Sequence, residues 1–190
     1  MKTVKVVLSF LGLACGWSAF AAPSALAIDA RTPGGRAVTV TAVAPNILRV
    51  DNVAAGETVP APKVVITPAQ GESPVAETGK TAYSTSLVTT AGVVATINTR
   101  TGALTIDGGN PGSIILDNSS RCGGEIALST TSEGSFYGAG ERGHKLNLRG
   151  DTLVMYNRQN YGYTGSDPRI SQMNITMPLF LSSDGFAILF

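Results

Sequence analysis

The segment from Met155 to Arg169 concentrates side chains that proteins use to bind sugars. It contains three tyrosines, three amide side chains, two arginines and two glycines. Tyrosine rings stack on the apolar faces of sugars, and amide and guanidinium groups form hydrogen bonds to hydroxyls in fixed directions. The composition indicates a sugar-binding loop on a rigid scaffold. It also fits a packed turn whose tyrosines cover the edge of a sheet, and both interpretations stay open here.

A glycine-rich stretch lies just before this segment. Residues 138–143 match the pattern G-x-G-x-x-G. A dinucleotide site needs this pattern between a strand and the first turn of a helix. The residues that follow, 144–149, alternate as a strand does, so the sequence argues against nucleotide binding.

Other residues with catalytic potential are few. His144 is the only histidine. With Cys122 it cannot form a convincing zinc site, and no G-x-S-x-G elbow is present, so the sequence predicts neither a metal nor a cofactor. Paired carboxylates hydrolyse glycosides, and the candidates are Glu141, Asp151 and Asp167. Their spacing does not show that two of them converge, and exposed turn positions remain the alternative.

The elements expected to position these residues are strands. After residue 28 no window shows helical periodicity, and β-branched segments recur about every 8–12 residues between turn residues. Val38 and Val40 alternate with threonines, and residues 99–102 separate two alternating segments as a hairpin turn does. Residues 69–80 are expected to form an exposed loop. The predicted strands are 37–43, 47–51, 63–67, 81–90, 93–98, 103–107, 113–116, 125–131, 135–137, 145–148, 153–156, 173–177, 179–182 and 186–190.

This pattern predicts an all-β fold, an antiparallel sandwich or barrel. With 190 residues, the chain is too short for a (β/α)₈ barrel, which needs about 200 residues or more. A formal net charge of +1 gives no electrostatic footprint for nucleic acid.

Residues 1–27 are predicted to be a secretory signal peptide. Lys2 and Lys5 precede an apolar run of 12 residues, 6–17, and small residues follow. A membrane-spanning helix needs about 20 apolar residues, so no membrane span is expected. The mature domain is therefore expected to cover residues 28–190 of a secreted or periplasmic protein.

Two A-x-A patterns place the predicted cleavage after Ala21 or Ala27. Cys15 offers an alternative, lipoprotein cleavage. Gly12 stands where that signal requires a branched apolar residue, so lipid anchoring is the less favoured interpretation.

Several ordered motifs resemble glycoside hydrolase family 31. The resemblance covers about residues 35–190 and is to the N-terminal β-sandwich domain of that family, with a galactose-mutarotase-like fold. In the family, a catalytic (β/α)₈ barrel follows this domain, and the chain stops before it. The motifs are residues 136–142, 146–150, 155–157, 177–183 and 185–186, with weaker similarity at 38–51 and 93–107.

The resemblance implies a carbohydrate substrate, an α-glucoside or an α-xyloside, that is hydrolysed or transglycosylated. The family carries its catalytic aspartates on the barrel, so the chain alone is expected to be inactive and to have no catalytic residue of its own. Its implied role is to pack on the barrel and to line the substrate pocket. The implied substrate-binding residues are Arg158, Gln159, Asn160, Tyr161 and Tyr163.

Two positions depart from the family pattern. Tyr156 stands where members have a tryptophan or another aromatic, and Gln159 replaces an acid that contacts substrate in many members. The Tyr161-Gly162-Tyr163 continuation resembles members that act on α-glucan oligosaccharides. An apolar final strand, 185–190, leads us to expect that the natural protein continues. A free-standing carbohydrate-binding module, or a non-enzymatic surface protein, would be the alternatives if it does not.

Overall fold

Every regular element in the described part of the chain is a strand, as the sequence predicts. The computed structural model describes residues 4–7, 27–54, 56–58, 73–109, 114–117, 125–130, 133–141, 145–153, 155 and 175–190. The strands are β1 Val4–Val7, β2 Ala27–Arg31, β3 Ala37–Ala44, β4 Ile47–Val53, β5 Val75–Lys80, β6 Ser84–Thr89, β7 Val94–Asn98, β8 Leu104–Asp107, β9 Ile114–Asp117, β10 Glu125–Thr130, β11 Phe136–Glu141, β12 Ile175–Ser182 and β13 Ala187–Leu189.

The strands form three antiparallel sheets. A seven-stranded sheet has the order β1-β10-β9-β8-β7-β6-β5, and two three-stranded sheets have the orders β2-β3-β4 and β11-β12-β13. Apart from the β1–β10 pair, each pair joins strands that are consecutive among the described elements. The predicted all-β, antiparallel fold is confirmed.

The core lies between the β2–β4 sheet and the β6–β8 part of the large sheet. Val38 and Val40 are fully buried, whereas Thr39 and Thr41 are half-buried, which confirms the predicted alternation. Leu87, Ile97 and Leu104 cover them from the facing sheet. Each such side chain contributes about 1.5–3 kcal/mol by leaving water.

The predicted hairpin at residues 99–102 joins β7 to β8. The Asn98 side-chain oxygen accepts hydrogen bonds from the backbone N–H groups of Arg100 and Thr101, at 2.9 and 3.1 Å. Gly102 has a φ of +78°, which glycine adopts without steric cost. Turn chemistry that is local in sequence therefore fixes this connection.

The predicted loop at 69–80 is wrong in its second half, because β5 occupies Val75–Lys80. This strand is at the edge of the large sheet, and among the described strands it pairs with β6 alone. Most of its side chains are exposed, so it lacks the apolar alternation by which strands are recognised in a sequence.

The predicted strands at 145–148 and 153–156 are also wrong where the structure describes them. Residues 145–153 form bends and turns. Leu146 and Leu148 look like one face of a strand, yet Leu146 is 82% exposed and Leu148 is buried. The predicted strand at 63–67 lies outside the described residues.

One strand, β12, runs through Pro178 and contains the predicted strand 179–182 together with the described part of the predicted strand 173–177. Proline has no N–H for a sheet ladder and is tolerated where pairing is interrupted. The β11–β12 register shifts here, since Gly138 pairs with Phe180 while Gly140 pairs with Thr176. The bulge in β12 thus removes the need for a hydrogen bond from Pro178.

The N-terminal region contains two strands. β1 lies inside the predicted signal peptide and pairs with β10. β2 begins at Ala27, and its residues Ile28 and Ala30 belong to the core. Cleavage of residues 1–27 stays a prediction. The described residues include no helix that could cross a membrane.

Candidate functional site

The five predicted substrate-binding residues lie outside the described residues, as do His144, Cys122 and Asp167. They are Arg158, Gln159, Asn160, Tyr161 and Tyr163. The candidate site is therefore built here from the described residues that flank this segment: β11, residues 145–151, and the turn between β12 and β13.

The glycines of the G-x-G motif lie inside β11, not between a strand and a helix. Gly138, Ala139 and Gly140 all have positive φ, at 107°, 67° and 93°. A Cβ on Gly138 would collide with the Leu179 carbonyl oxygen, and one on Gly140 with the Ile175 carbonyl oxygen. Close approach of two backbones, rather than phosphate binding, accounts for both glycines.

Asn147 holds residues 147–149 against the start of β11 through its side-chain amide. Its Oδ1 accepts hydrogen bonds from the N–H groups of Phe136 and Arg149, at 3.2 and 3.1 Å. Its Nδ2 donates to Ser135 Oγ at 3.0 Å. The N–H of Leu148 donates to the Phe136 carbonyl at 2.8 Å. Each of these bonds contributes about 1 kcal/mol, and together they set where the chain leaves toward residue 156.

Arg149 contacts the start of β11, where its guanidinium group lies over the ring of Phe136. Its Nε donates to the Gly134 carbonyl oxygen. Its guanidinium carbon lies 5.3 Å from the centroid of the Phe136 ring, a cation–π distance. The Phe136 ring packs edge-to-face on Phe186 at 6.3 Å. The arginine thereby couples residues 145–151 to the β11–β12–β13 sheet.

The turn between β12 and β13 is bound to the start of β11. The N–H of Ser183 donates to the Ser135 carbonyl at 2.9 Å, and the N–H of Ser135 donates to Ser183 Oγ at 2.8 Å. Asp184 is buried, and a Cβ on Gly134 would collide with its carboxylate. A side chain at position 134 would therefore require the Asp184 carboxylate to shift. We call residues 134–136, 147–149 and 183–184 the anchor.

Two of the three candidate carboxylates are described. Asp151 Oδ1 forms an ion pair with Lys145 Nζ at 3.1 Å, and its N–H donates to the Leu148 carbonyl. Glu141 is exposed at the last position of β11 and pairs with Ile175. Asp151 thus stabilises a turn bonded to the first residue of β11, whereas Glu141 lies at the other end. This placement gives no support for a catalytic pair.

The sequence analysis missed the roles of Gly134, Ser183 and Asp184. Their contacts join residues 48 positions apart, and no local pattern reports such pairing. The Asp184-Gly185 dipeptide is a turn signal that the sequence analysis did not use, and no local pattern reports the burial of its carboxylate.

A separate shallow cleft of about 310 Å³ lies between β2 and the β5–β6 hairpin. Asp29, Thr78, Lys80 and Thr85 contribute polar groups to it. Its lining holds no aromatic ring for a sugar to stack on. Within the described part of the chain, no group of three or more metal-ligating side chains is present.

Comparison with known proteins identifies the domain. Residues 37–190 match the glycosyl hydrolase 31 N-terminal galactose mutarotase-like domain. No curated protein sequence matches the chain.

Solved structures share the fold at low sequence identity. A mutant GH31 dextranase from Flavobacterium johnsoniae complexed with isomaltotriose has a TM-score of 0.67 and 18% identity over 87% of this chain and 21% of that chain. The same dextranase complexed with glucose gives 0.68, with equal identity and coverage. The GH31 α-xylosidase from Xanthomonas citri gives 0.59 and 19% identity, over 88% of this chain and 18% of that chain. The chain thus spans about a fifth of the length of these enzymes.

Proposed function

The chain belongs to glycoside hydrolase family 31, and from this premise we propose that it is the N-terminal domain of a secreted α-glycoside hydrolase or transglycosidase. The observation that carries the proposal is the match over residues 37–190, which include the whole anchor. The shared fold with a dextranase and an α-xylosidase supports it. The activity of the whole enzyme is part of the proposal, because this domain is about a fifth of such proteins.

The proposed substrates are α-glucosides, including α-glucan oligosaccharides, with α-xylosides as the close alternative. One matched dextranase structure holds isomaltotriose and another holds glucose, while the third match is an α-xylosidase. The tyrosines and amides of 155–169 are suited to bind either sugar by stacking and hydrogen bonding.

In this proposal, the domain packs on the catalytic barrel and presents residues 158–163 to the substrate pocket. The anchor supports this role because it fixes the chain on one side of the segment, through Asn147 and Arg149. On the other side, Ile175 re-enters the sheet opposite Glu141. A binding loop held at both ends by a rigid sheet loses less conformational entropy when it orders around a ligand.

The test is Tyr161→Ala in the enzyme encoded by the whole reading frame, assayed on aryl α-glucosides, α-xylosides and α-gluco-oligosaccharides. Loss of a stacking ring is expected to lower kcat/KM by about tenfold, which corresponds to about 1.4 kcal/mol. Tyr161→Phe keeps the ring and should retain most of the activity.

A wild-type enzyme that cleaves or transfers none of these α-glycosides would refute the proposed function. An active enzyme that is indifferent to Tyr161→Ala would remove only the pocket role of this segment. If the reading frame instead stops at Phe190, the free-standing carbohydrate-binding module becomes the better assignment.

Secretion is a further part of the proposal, and β2 favours one of the two cleavage sites. A cut after Ala27 removes the first residue of β2, which pairs with Thr41, and turns the backbone nitrogen of the buried Ile28 into a charged terminal amine. A cut after Ala21 leaves the strand whole. We expect intact-mass measurement of exported protein to give a mature form that begins at Ala22. A form that begins at Met1 would contradict export with cleavage, and one that begins at Ile28 would contradict the strand argument.

A further inference from the structure

The two ends of the seven-stranded sheet differ in their protection against pairing with a further strand. At one end, β5 carries Glu77 and Lys80 as exposed charged residues, and Pro74 precedes it. Its pairing with β6 shifts register between Val75 and Glu77, as at a β-bulge. Exposed charges, proline and bulges are the features by which natural sheets keep an edge from taking up another strand. β5 is therefore a protected edge.

β10, near the other end of the sheet, has none of these features. The sequence 125–130 contains no proline, and Glu125 at its first position is its only charged residue. Its four consecutive pairs with β9, from Ala127 to Thr130, show no register shift. A regular strand of this kind presents its free N–H and C=O groups as a template for an added strand. Without β1, β10 would be a strand-accepting edge.

β1 occupies this edge and protects it. It forms four consecutive antiparallel pairs with β10, from Val4 opposite Leu128 to Val7 opposite Glu125. β1 has no second partner among the described strands, so it becomes the new end of the sheet. It is only four residues long and contains Lys5, and very short strands with lysine are edges that natural sheets tolerate. Addition of β1 thus replaces an unprotected edge by a protected one.

We propose that residues 4–7 are a removable cap for the β10 edge, so that cleavage of the predicted signal peptide opens a strand-accepting surface on the mature protein. The partner that fits the open edge is an extended segment of the β1 type, with β-branched residues and no acidic side chain, added antiparallel to β10. The cleavage step rests on the secretion part of the proposed function, whereas the cap itself rests on the observed pairing.

Covalent attachment allows so short a strand to act as a cap. A strand of the same chain competes for the edge at an effective concentration of about millimolar, whereas a separate peptide must be supplied at that concentration. A free peptide that forms only four backbone pairs binds weakly, because it loses its translational and conformational freedom on binding. A signal peptide that has been cut off therefore leaves the edge open once it diffuses away.

Hydrogen–deuterium exchange in the 190-residue chain, produced without export so that residues 1–27 remain, tests the cap. The variant is Lys5→Pro/Val6→Pro. Adjacent residues of a strand direct their N–H groups to opposite sides, so one of the two prolines removes a hydrogen bond to β10 in either case. We expect the amides of residues 125–130 to exchange at least about tenfold faster in this variant than in the wild-type chain, with no change in β6 and β7.

Lys2→Pro/Thr3→Pro is the matched control, because it places two prolines just before β1 and should leave the exchange of β10 unchanged. A synthetic peptide of residues 2–9, added at about millimolar concentration, should restore the protection of β10 in the Lys5→Pro/Val6→Pro chain. The same peptide with both prolines of the variant should not restore it.

Equal exchange of β10 in the wild-type and Lys5→Pro/Val6→Pro chains would overturn the cap, and so would an equal acceleration in the control. Protection that the peptide of residues 2–9 does not restore would overturn the strand-accepting edge. Intact-mass measurement of the exported protein is made separately. A capped chain that is exported uncleaved refutes the secretion step alone, whereas a cleaved protein from a chain whose β10 does not respond refutes the cap alone.

Discussion

Replacing Gly140 by alanine is expected to destabilise the chain by about 3 kcal/mol. Its φ of +93° is outside the region that alanine favours. The new Cβ would also overlap the Ile175 carbonyl oxygen and lie 2.8 Å from the Met177 backbone nitrogen. These atoms belong to the paired strand, so relief of the overlap requires β11 and β12 to separate.

Gly92→Ala is the matched control for this experiment. Gly92 has a similar φ of +82°, but nothing lies within 4 Å of a Cβ built there. Its substitution should cost only the conformational strain, about 1 kcal/mol. Urea unfolding followed by far-ultraviolet circular dichroism gives both values, a suitable probe because the only tryptophan, Trp17, lies in the predicted signal peptide. Equal losses for the two variants would show that the close approach of β11 and β12 contributes nothing.

The strands that were predicted correctly from the sequence have one face buried in the core and the other face more exposed. Val38 and Val40 face the opposing sheet while Thr39 does not, so burial and sequence alternate together. β5 was missed because an edge strand with exposed residues has no such contrast. The strand predicted at 145–148 is wrong for the opposite reason. Its two leucines alternate in the sequence as on one face of a strand, but Leu146 is exposed and Leu148 is buried.

The candidate site was predictable only in part. Family resemblance, not composition, selected residues 158–163, and these assignments stay predictions. The structure places the G-x-G motif inside β11, although residues 145–149, whose alternation predicted a strand, do not form one. These glycines are required because Gly138 and Gly140 contact β12 closely. The paired residues of β12 are about 40 positions away in the sequence, so a local sequence pattern does not reveal the contact.

The anchor and the G-x-G motif connect the fold to the proposed function through the same strand. On one side, β11 pairs with β12, whose backbone approaches Gly138 and Gly140 too closely for a Cβ. On the other side, it forms hydrogen bonds with Asn147 and Leu148. Residues that leave this strand and return to β12 are therefore tied to a rigid base. Such a base is what a substrate-binding segment needs when it must hold a sugar against groups on another domain.

Residues 22–190, produced alone, are expected to give no measurable turnover of aryl α-glucosides or α-xylosides. Retaining glycoside hydrolysis needs a nucleophile and an acid/base about 5 Å apart in a rigid pocket. Among the described carboxylates, Asp151 pairs with Lys145, Asp184 is buried against Gly134, and Glu141 is exposed at the end of β11. None of these arrangements brings two carboxyl groups to one bond.

The size of the expected effect makes this experiment decisive. Enzymes accelerate such reactions about 10⁶-fold or more, so a domain without the catalytic pair should release aglycone no faster than buffer does. Binding of malto-oligosaccharides should be millimolar at best, because one wall of a pocket offers few contacts to offset the lost freedom of the ligand. The whole enzyme, assayed in parallel, is the positive control. Turnover by residues 22–190 that disappears in Glu141→Gln or Asp167→Asn would place the chemistry within this domain and overturn the assignment of catalysis to the barrel.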